Sequence, residues 1–268
     1  MQQSLYVHIP FCLKRCIYCD FVSGMYDPQK EADYIEALKK EISGIHHKTS
    51  FATLYVGGGT PTVLSAGTIT SLIKHIYKHI NFTDDFEATI EANPGTLDEE
   101  KLLAARFSGI NRISIGVQSF NDVELKFLGR LHSSDDADSA VLLARECGFN
   151  NIGIDLIYGI PGQSGSEWRK TLDKAVSLSP EHISAYELTV EDGTVLAQEG
   201  GAVRKWREVE EDQIIEMYEY TIDFLKSEGY MHYERYPTSQ SRASHADTIL
   251  ITGMQVCITG LVWAHILI

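Results

Sequence analysis

The chain has 268 residues, of which 44% are hydrophobic and 22% are charged, and its formal net charge is -14. This composition is typical of a folded globular protein and argues against a mainly disordered chain. The negative charge argues against nucleic-acid binding, because polyphosphates bind to basic surfaces. The expected partners are therefore small molecules or other proteins.

Short β-rich runs alternate with longer amphipathic segments along the chain. The runs predict six strands, at Leu5–Ile9, Thr53–Val56, Glu87–Glu91, Arg112–Val117, Ile152–Ile157 and His182–Tyr186. The segments between them predict helices near residues 30–45, 65–80, 98–107, 135–147 and 165–178. Repeated βα units form parallel sheets, so the sequence predicts an α/β fold built as a partial or full barrel.

The pattern changes after about residue 204. Residues 205–226 predict a long amphipathic helix that ends at Gly229, and residues 231–233 predict the start of another strand. One face of this helix is expected to pack on the core, with Ile214, Met217, Thr221, Phe224 and Leu225. We therefore expect a main domain over residues 1–204 and a helical extension over residues 205–234 that begins a C-terminal domain.

Three of the five cysteines, Cys12, Cys16 and Cys19, follow the first predicted strand with the spacing CxxxCxxC. Residues 1–5 lack the pattern of a secretory signal, which predicts a cytoplasmic, reducing location where disulfides are rare. One loop can wrap three thiolates around a corner of a four-iron cluster and leave the fourth iron open. S-adenosylmethionine can fill that open position with its amino and carboxylate groups.

Zinc is the alternative metal for these cysteines. A structural zinc site needs a fourth ligand, which here must come from a distant residue such as His8 or Cys147. In that case the protein would be a zinc-stabilised binding module. Cys147 and Cys257 stand alone in the sequence, and we expect them to be small buried apolar residues.

Further candidate residues lie where predicted strands end, and in α/β folds the chemistry sits at the carboxyl ends of the strands. Gly57–Thr60 follow the second strand, Glu91 and Gln118 close the third and fourth, and Asp155 lies in the fifth. Glycines let the backbone approach a ligand closely, and the following proline stiffens the turn. A tight βα turn without a ligand is the alternative for the glycines.

The chain resembles the radical S-adenosylmethionine superfamily and, within it, the oxygen-independent coproporphyrinogen III oxidase family. The resemblance covers about residues 4–234 and is carried by the cysteine motif and by five segments: YVHIPFC at 6–12, GGGTPT at 57–62, IGVQSF at 115–120, LGRLH at 128–132 and DLIYGIPG at 155–162. It implies a radical S-adenosylmethionine partial (β/α)6-type barrel with a C-terminal helical extension. It also implies a [4Fe-4S] cluster on the three cysteines.

The resemblance further implies two nucleotide sites. Residues at positions that touch a first S-adenosylmethionine are Tyr6, Gly58 and Glu91. Residues at positions that touch a second are Tyr18, Gly59, Thr60, Gln118, Arg130 and Asp155. Structural alternatives remain open, since the tyrosines can be core aromatics and Arg130 can form a buried ion pair with Asp155.

One departure from the oxidases directly follows the cysteine motif. The oxidases carry another cysteine two residues after the motif, whereas this chain has Phe21 there. This departure resembles the HemW-like branch, whose members are heme chaperones that deliver heme to acceptor proteins. The expected cofactors are thus the cluster, S-adenosylmethionine and heme, with a heme-acceptor protein and an electron donor as partners. Coproporphyrinogen III oxidation is the alternative activity.

Two histidines of the matching motifs, His8 and His132, are expected to be hydrogen-bonded structural residues, and neither is assigned to heme.

The end of the chain breaks the resemblance. The family continues with YEISNFAKPG and later carries HNxxYW and GAHSY, whereas this chain has ERYPTSQSRA at 234–243. One choice of codons for residues 235–243, read one base earlier, encodes ISNFAKPG, and the same shift permits the two later motifs. We therefore expect a frameshifted tail over residues 235–268. A membrane anchor at residues 249–268 is the alternative, but Gln255 and His265 interrupt a stretch near the minimum spanning length of about 20 residues.

Overall fold

The structure is a computed structural model that describes residues 3–45, 50–198, 209–233 and 248–252. The described residues form ten strands: β1 (Gln3–Ile9), β2 (Phe11–Cys12), β3 (Gly24–Met25), β4 (Phe51–Gly58), β5 (Phe82–Ala92), β6 (Arg112–Gln118), β7 (Ile152–Tyr158), β8 (His182–Glu187), β9 (Met231–His232) and β10 (Thr248–Thr252). They also form eight α-helices: α1 (Pro28–Ser43), α2 (Ala66–His79), α3 (Glu99–Phe107), α4 (Asp122–Phe127), α5 (Ser134–Glu146), α6 (Gly165–Ser177), α7 (Val195–Gln198) and α8 (Glu211–Ser227).

One sheet has the strand order β1-β4-β5-β6-β7-β8-β10-β9, and its first six strands are parallel. Strand β10 pairs antiparallel with β8 and with β9. The six predicted strands and the five predicted helices between them are confirmed. The fold is α/β, because each parallel strand returns through a connection that contains a helix.

Local signals in the sequence fix where the helices begin. Ser133 and Ser164 each start a helix with a capping box. In it, the side chain of Asp136 or Glu167 accepts a hydrogen bond from the backbone N–H of the cap serine. Helix α1 starts after Asp27, whose side chain accepts hydrogen bonds from the first amides of the helix. The capping residues therefore determine where these three helices begin and where the preceding loops end.

The two faces of the sheet differ in polarity. In β6, the alternate residues Ile113, Ile115 and Val117 are fully buried in the hydrophobic core. Successive strand residues point to opposite faces, so Arg112 and Ser114 lie on the other face. That inner face carries the polar side chains from which the candidate site is built.

The C-terminal extension packs on the main domain through α8. Met217, Thr221 and Leu225 are buried, as the predicted face requires, and Ile214 and Phe224 are partly buried. The indole of Trp168 donates to Thr221 Oγ1 at 2.8 Å, which joins α6 to α8. Gly229 has a φ of 90°, which suits the turn that ends the helix.

Several predictions for the end of the chain lie outside the described residues. The helix predicted from residue 205 begins at Glu211, after an extended Glu210, and residues 205–208 are among those outside. Strand β9 confirms the strand predicted at 231–233. Of the tail, only β10 is described, whereas residues 235–247 and 253–268, with Cys257, lie outside. None of the helices in the described ranges is long and apolar enough to cross a membrane.

Candidate functional site

All three motif cysteines lie on one loop that leaves the sheet after β1 and is closed at its base. The Gly24 amide donates to Pro10 O at 2.7 Å, and the Tyr26 amide donates to Cys12 O at 2.9 Å. Cys12 is buried at the end of β2, whereas Cys16 and Cys19 are partly exposed. The loop thus carries three free thiols at the carboxyl edge of the sheet.

The geometry of these thiols bears on the type of metal centre. Within the described residues, no three His, Cys, Asp or Glu side chains converge as the ligands of a single metal ion do. A cubane cluster binds each thiolate through a different iron, so its ligands do not have to converge on one atom. Three thiols on one loop fit that arrangement.

The glycine turn after β4 packs directly on the cysteine loop. The Gly59 amide donates to Ile9 O and the Thr60 amide to Phe11 O, both at 2.8 Å. A Cβ on Gly59 would lie 2.7 Å from Phe11 O and 3.0 Å from Cys12 Sγ, so only glycine fits. Thr60 Oγ1 lies 3.7 Å from the same sulfur and donates to it.

His8 links β1 to the cysteine loop. Its Nε2 lies 2.8 Å from Val22 O, and its Nδ1 lies 3.0 Å from the Tyr6 hydroxyl. Because a carbonyl only accepts, Nε2 carries the proton, and Nδ1 accepts from Tyr6. Gly58, with a φ of 116°, leaves the room that the His8 ring occupies. His8 therefore has the structural role expected from the sequence.

Glu91 closes β5 beside this turn. Its Oε1 accepts from the Tyr55 hydroxyl at 2.7 Å, and its Oε2 accepts from the Gly58 amide at 3.0 Å. The pKa of Glu91 is raised to about 7, mainly because the carboxyl is desolvated and also because Asp155 lies nearby, although the hydrogen bond from Tyr55 acts in the opposite direction. Burial also raises the pKa of Tyr6 above its usual value. The structure thus brings Tyr6, Gly58 and Glu91 into one neighbourhood.

Asp155 and Gln118 lie on the inner face at the neighbouring strands. The Ser114 hydroxyl lies 3.3 and 3.2 Å from the two carboxylate oxygens of Asp155, to which it donates. Burial raises the pKa of Asp155, and hydrogen bonds from Ser184 and Ser114 lower it. Gln118 has a φ of 71° at the end of β6, and its Oε1 accepts from the Tyr186 hydroxyl at 2.8 Å.

Arg130 reaches from the loop after α4 to the cysteine loop. Its Nη1 donates to Cys16 Sγ at 3.5 Å, and its Nη2 donates to Gly116 O. The ion pair with Asp155 that the sequence left open is not formed between these two described side chains, because the guanidinium is directed at the sulfur and the carbonyl instead. The Nε of Arg130 is buried and has no hydrogen-bond partner among the described residues.

Tyr18 lies in the cysteine loop next to this guanidinium. It packs on a small apolar cluster that includes Leu128 and Leu196. Burial raises the pKa of Tyr18, and the positive charge of Arg130 acts in the opposite direction. Tyr18 is thus partly a core aromatic, as the structural alternative proposed, yet it also contacts Cys16.

Other candidate residues differ in their environment. Phe21, which stands where the oxidases have a further cysteine, is 53% exposed. Cys147 is buried in the core, as expected for a lone cysteine. His132 is buried and contacts Val117 O at 3.0 Å, which agrees with a structural role. Burial lowers the pKa of His132 to about 4.

Three residues that no sequence motif marks form hydrogen bonds to the predicted site residues. Tyr55, Ser114 and Tyr186 bond to Glu91, Asp155 and Gln118, respectively. Each lies inside a predicted strand, where a polar residue has no distinctive spacing. Their alternation with buried apolar neighbours was the only available signal.

A family model, the Radical SAM superfamily, matches residues 6–175. That family implies a [4Fe-4S] cluster and S-adenosylmethionine. The residues present fit this pair of groups, because the cysteine loop docks on a turn where only glycine fits and the guanidinium of Arg130 donates to a motif sulfur.

Relatives with assigned names agree with this match. The chain is 39% identical over 239 residues to a heme chaperone HemW of Haemophilus influenzae, covering 86% of this chain and 61% of the relative. It is 40% identical over 233 residues to a heme chaperone HemW of Lactococcus lactis, covering 86% of this chain and 60% of that one. The chain therefore spans about three fifths of the length of these relatives.

A solved structure shares the fold. Coproporphyrinogen III oxidase (HemN) of Escherichia coli, described as a radical SAM enzyme, matches with a TM-score of 0.76 and 33% identity. The match covers 86% of this chain and 54% of the oxidase. Taken with the family model, the site geometry and the relatives, it shows that the chain belongs to the radical SAM superfamily.

Proposed function

We propose that the protein is a cytoplasmic heme chaperone that holds a [4Fe-4S] cluster, binds S-adenosylmethionine and delivers heme to an acceptor protein. The observation that carries the proposal is the cysteine loop docked against the Gly57–Thr60 turn, with Glu91 at its side. The HemW relatives support the heme part of the proposal, at 39% and 40% identity.

In this proposal Cys12, Cys16 and Cys19 are the cluster ligands. When bound, a cluster of this type supplies one electron to S-adenosylmethionine. Thr60 Oγ1 donates to Cys12 Sγ and Arg130 Nη1 donates to Cys16 Sγ, so polar partners hold two of the three sulfurs in place.

The first nucleotide would bind at Tyr6, Gly58 and Glu91. Each carboxylate oxygen of Glu91 already accepts one hydrogen bond and retains capacity for another. Gly58 and Gly59 are only partly buried, and glycine lets a ligand approach the backbone closely, which suits the amino group of S-adenosylmethionine.

A second nucleotide site is proposed from a separate group of residues: Tyr18, Gly59, Thr60, Gln118, Arg130 and Asp155. The buried Nε of Arg130, which has no partner among the described residues, is a donor that a bound ligand would satisfy. The carboxylate oxygens of Asp155 accept from Ser114 and retain capacity to accept from a ligand as well.

Coproporphyrinogen III oxidation is the second candidate, and the likeness to the oxidase structure favours it. The exposed Phe21 argues against it, because a phenyl ring cannot replace the thiol that the oxidases carry there. A heme acceptor and an electron donor are proposed partners of the chaperone activity.

Residues 235–268 bear on heme binding. We propose that they are out of frame, so that this chain lacks the HNxxYW segment that the resembled family associates with heme. Two forms of the protein, one with the given tail and one with the tail read in the shifted frame, should then differ in heme affinity. Codons for residues 235–268 that fail to spell the family motifs in the shifted frame would contradict this part.

The function is tested on anaerobically reconstituted protein. One sample is titrated with S-adenosylmethionine and with heme, and a second is incubated with coproporphyrinogen III, S-adenosylmethionine and a reductant. The proposal expects binding of S-adenosylmethionine, heme binding by the form with the shifted tail and no decarboxylated porphyrin. Product above the no-protein control would replace the chaperone with the oxidase.

A further inference from the structure

Arg112, the first residue of β6, is a buried cation that forms no ion pair with any carboxylate of the described residues. It is 4% exposed, and no ion pair within 4.0 Å joins it to a described acidic residue. Its Nη1 donates to Thr89 Oγ1 at 3.3 Å, and its Nη2 donates to His182 Nδ1 at 3.2 Å. Burying a charge among neutral partners is unfavourable, so the surrounding structure must provide a reason for it.

His182 does not compensate this charge. A guanidinium only donates, so His182 Nδ1 accepts, and its proton sits on Nε2, which lies 2.9 Å from the Tyr233 hydroxyl. Burial and the positive charge of Arg112 lower the pKa of His182 to about 3. The His182 ring is therefore neutral and does not balance the charge of Arg112, which acts electrostatically on Glu91 and Asp155 instead.

The strand register places Arg112 below two partly buried carboxylates, those of Glu91 and Asp155. Thr89 pairs with Arg112, and two residues later Glu91 pairs with Ser114. Residues two apart in a strand point to the same face, so Arg112 lies one layer beneath Glu91 and Ser114. Ser114, in turn, donates to Asp155.

Gly153 in β7 makes room for this arrangement. A Cβ there would lie 3.0 Å from Arg112 Nη2, 3.3 Å from Ser114 Oγ and 3.4 Å from His182 Nδ1. The guanidinium therefore faces the same small space as the hydroxyl that bonds to Asp155. A larger residue at position 153 would displace the cation from beneath the carboxylates.

We propose that Arg112 is a positioning residue, a buried counter-cation that favours the ionised forms of Glu91 and Asp155 on the inner face of the sheet. The inference rests on the proposed function, in which these two carboxylates contact S-adenosylmethionine. A protonated carboxyl has one acceptor oxygen fewer and no negative charge, so it would bind a cationic ligand more weakly.

The charges around Glu91 support this role. Its pKa is raised to about 7 as the net result of five influences: desolvation and Asp155 raise the pKa, whereas the Tyr55 hydroxyl, the Gly58 amide and the charge of Arg112 lower it. Arg112 is the cation among these groups, so its removal leaves the two carboxylates to repel each other.

The pKa of Asp155 is also set by burial and by the surrounding hydroxyls and cations. Burial raises its pKa, and Ser184, Arg112, Ser114 and Arg130 lower it. Arg130 also contacts Cys16, so Glu91, which lies away from the cysteines, is the better reporter of Arg112.

The experiment uses the full chain without cluster or nucleotide. The Glu91 carboxyl is followed through its pH titration by carbon-13 NMR, with Glu91→Gln to assign the signal. In Arg112→Gln, which keeps a donor for Thr89, the titration midpoint should rise by about one pH unit. Arg112→Lys, which keeps the charge, should hold the midpoint near that of the natural protein.

A second readout separates this role from simple loss of packing. In reconstituted protein the affinity for S-adenosylmethionine should fall in Arg112→Gln at pH 7 and recover as the pH rises. A structural defect would weaken binding equally at every pH. An unshifted Glu91 midpoint in a folded Arg112→Gln protein overturns the proposal, as does a Lys variant that shifts as much as Gln.

The two ideas fail separately. If the Glu91 midpoint shifts in Arg112→Gln but S-adenosylmethionine binds equally well at all pH values, then Arg112 does lower the pKa of Glu91, and it is the proposed nucleotide site that is wrong. If Arg112→Gln does not fold, the Lys variant still decides, because a midpoint moved up by a full unit despite the retained charge contradicts the role.

Discussion

The Gly58 amide donates to Glu91 Oε2 at 3.0 Å and joins the glycine turn to the neighbouring strand. In Glu91→Gln the new amide can accept from Tyr55 only by turning its NH2 group toward the Gly58 N–H, which also donates. Loss of a charge-assisted bond is worth about 1.5 to 3 kcal/mol, so S-adenosylmethionine binding should weaken roughly 10- to 100-fold. Anaerobic calorimetry on reconstituted protein measures the change.

The matched control for that variant is Glu87→Gln. Glu87 lies four residues earlier in β5 and bonds to Thr89 and Asn151 rather than to the glycine turn. Glu87→Gln also removes one negative charge, and it should leave the affinity for S-adenosylmethionine within about twofold of the natural value. Equal losses in the two variants would mean that Glu91 has no special contact with the nucleotide.

Gly59→Ala should prevent the cysteine loop from docking. Its Cβ would lie 2.7 Å from Phe11 O and 3.0 Å from Cys12 Sγ, and overpacking of this type costs about 1 to 3 kcal/mol. We expect a lower melting temperature and reduced iron content after reconstitution. Gly67→Ala in α2 is the control, because the nearest atom to its Cβ is Ser65 Oγ at 3.8 Å. A Gly59→Ala protein with full iron content would show that the turn and the loop are independent.

The stability of the fold should decrease as the pH falls below 6.5. His182 is neutral in the folded protein, where burial and Arg112 lower its pKa from 6.5 to about 3, so the unfolded chain binds a proton that the folded chain excludes. Its contribution is complete above pH 6.5 and is lost as the pH falls toward 3, at no more than roughly 1.4 kcal/mol per pH unit. Denaturant unfolding of the natural protein and of His182→Gln between pH 4 and 7 measures it. If the free energy of unfolding changes with pH equally steeply in His182→Gln and in the natural protein, His182 is not a neutral buried histidine.

The sequence was sufficient for the parallel sheet, because its buried strands read as hydrophobic runs separated by amphipathic helices. It did not predict α4, whose six residues are too few to show helical periodicity. The family motifs predicted that Arg130 belongs to the site, but they did not predict which residue it contacts. Nothing in the sequence distinguishes a guanidinium that reaches Cys16 from one that reaches Asp155. From the sequence, Arg112 could be predicted only as the start of a strand, because its surroundings are formed by residues of other strands, Thr89 and His182.

The central claim is that three thiolates of one loop hold a [4Fe-4S] cluster, and iron and acid-labile sulfide analysis tests it most directly. After anaerobic reconstitution the natural protein should hold about four iron and four sulfide per chain. A Cys147→Ala control should match it, because that residue is buried in the core away from the loop. The variant with Cys12, Cys16 and Cys19 all changed to Ala should hold neither iron nor sulfide and lose its brown colour. Retention of iron and sulfide by that triple variant would contradict the account.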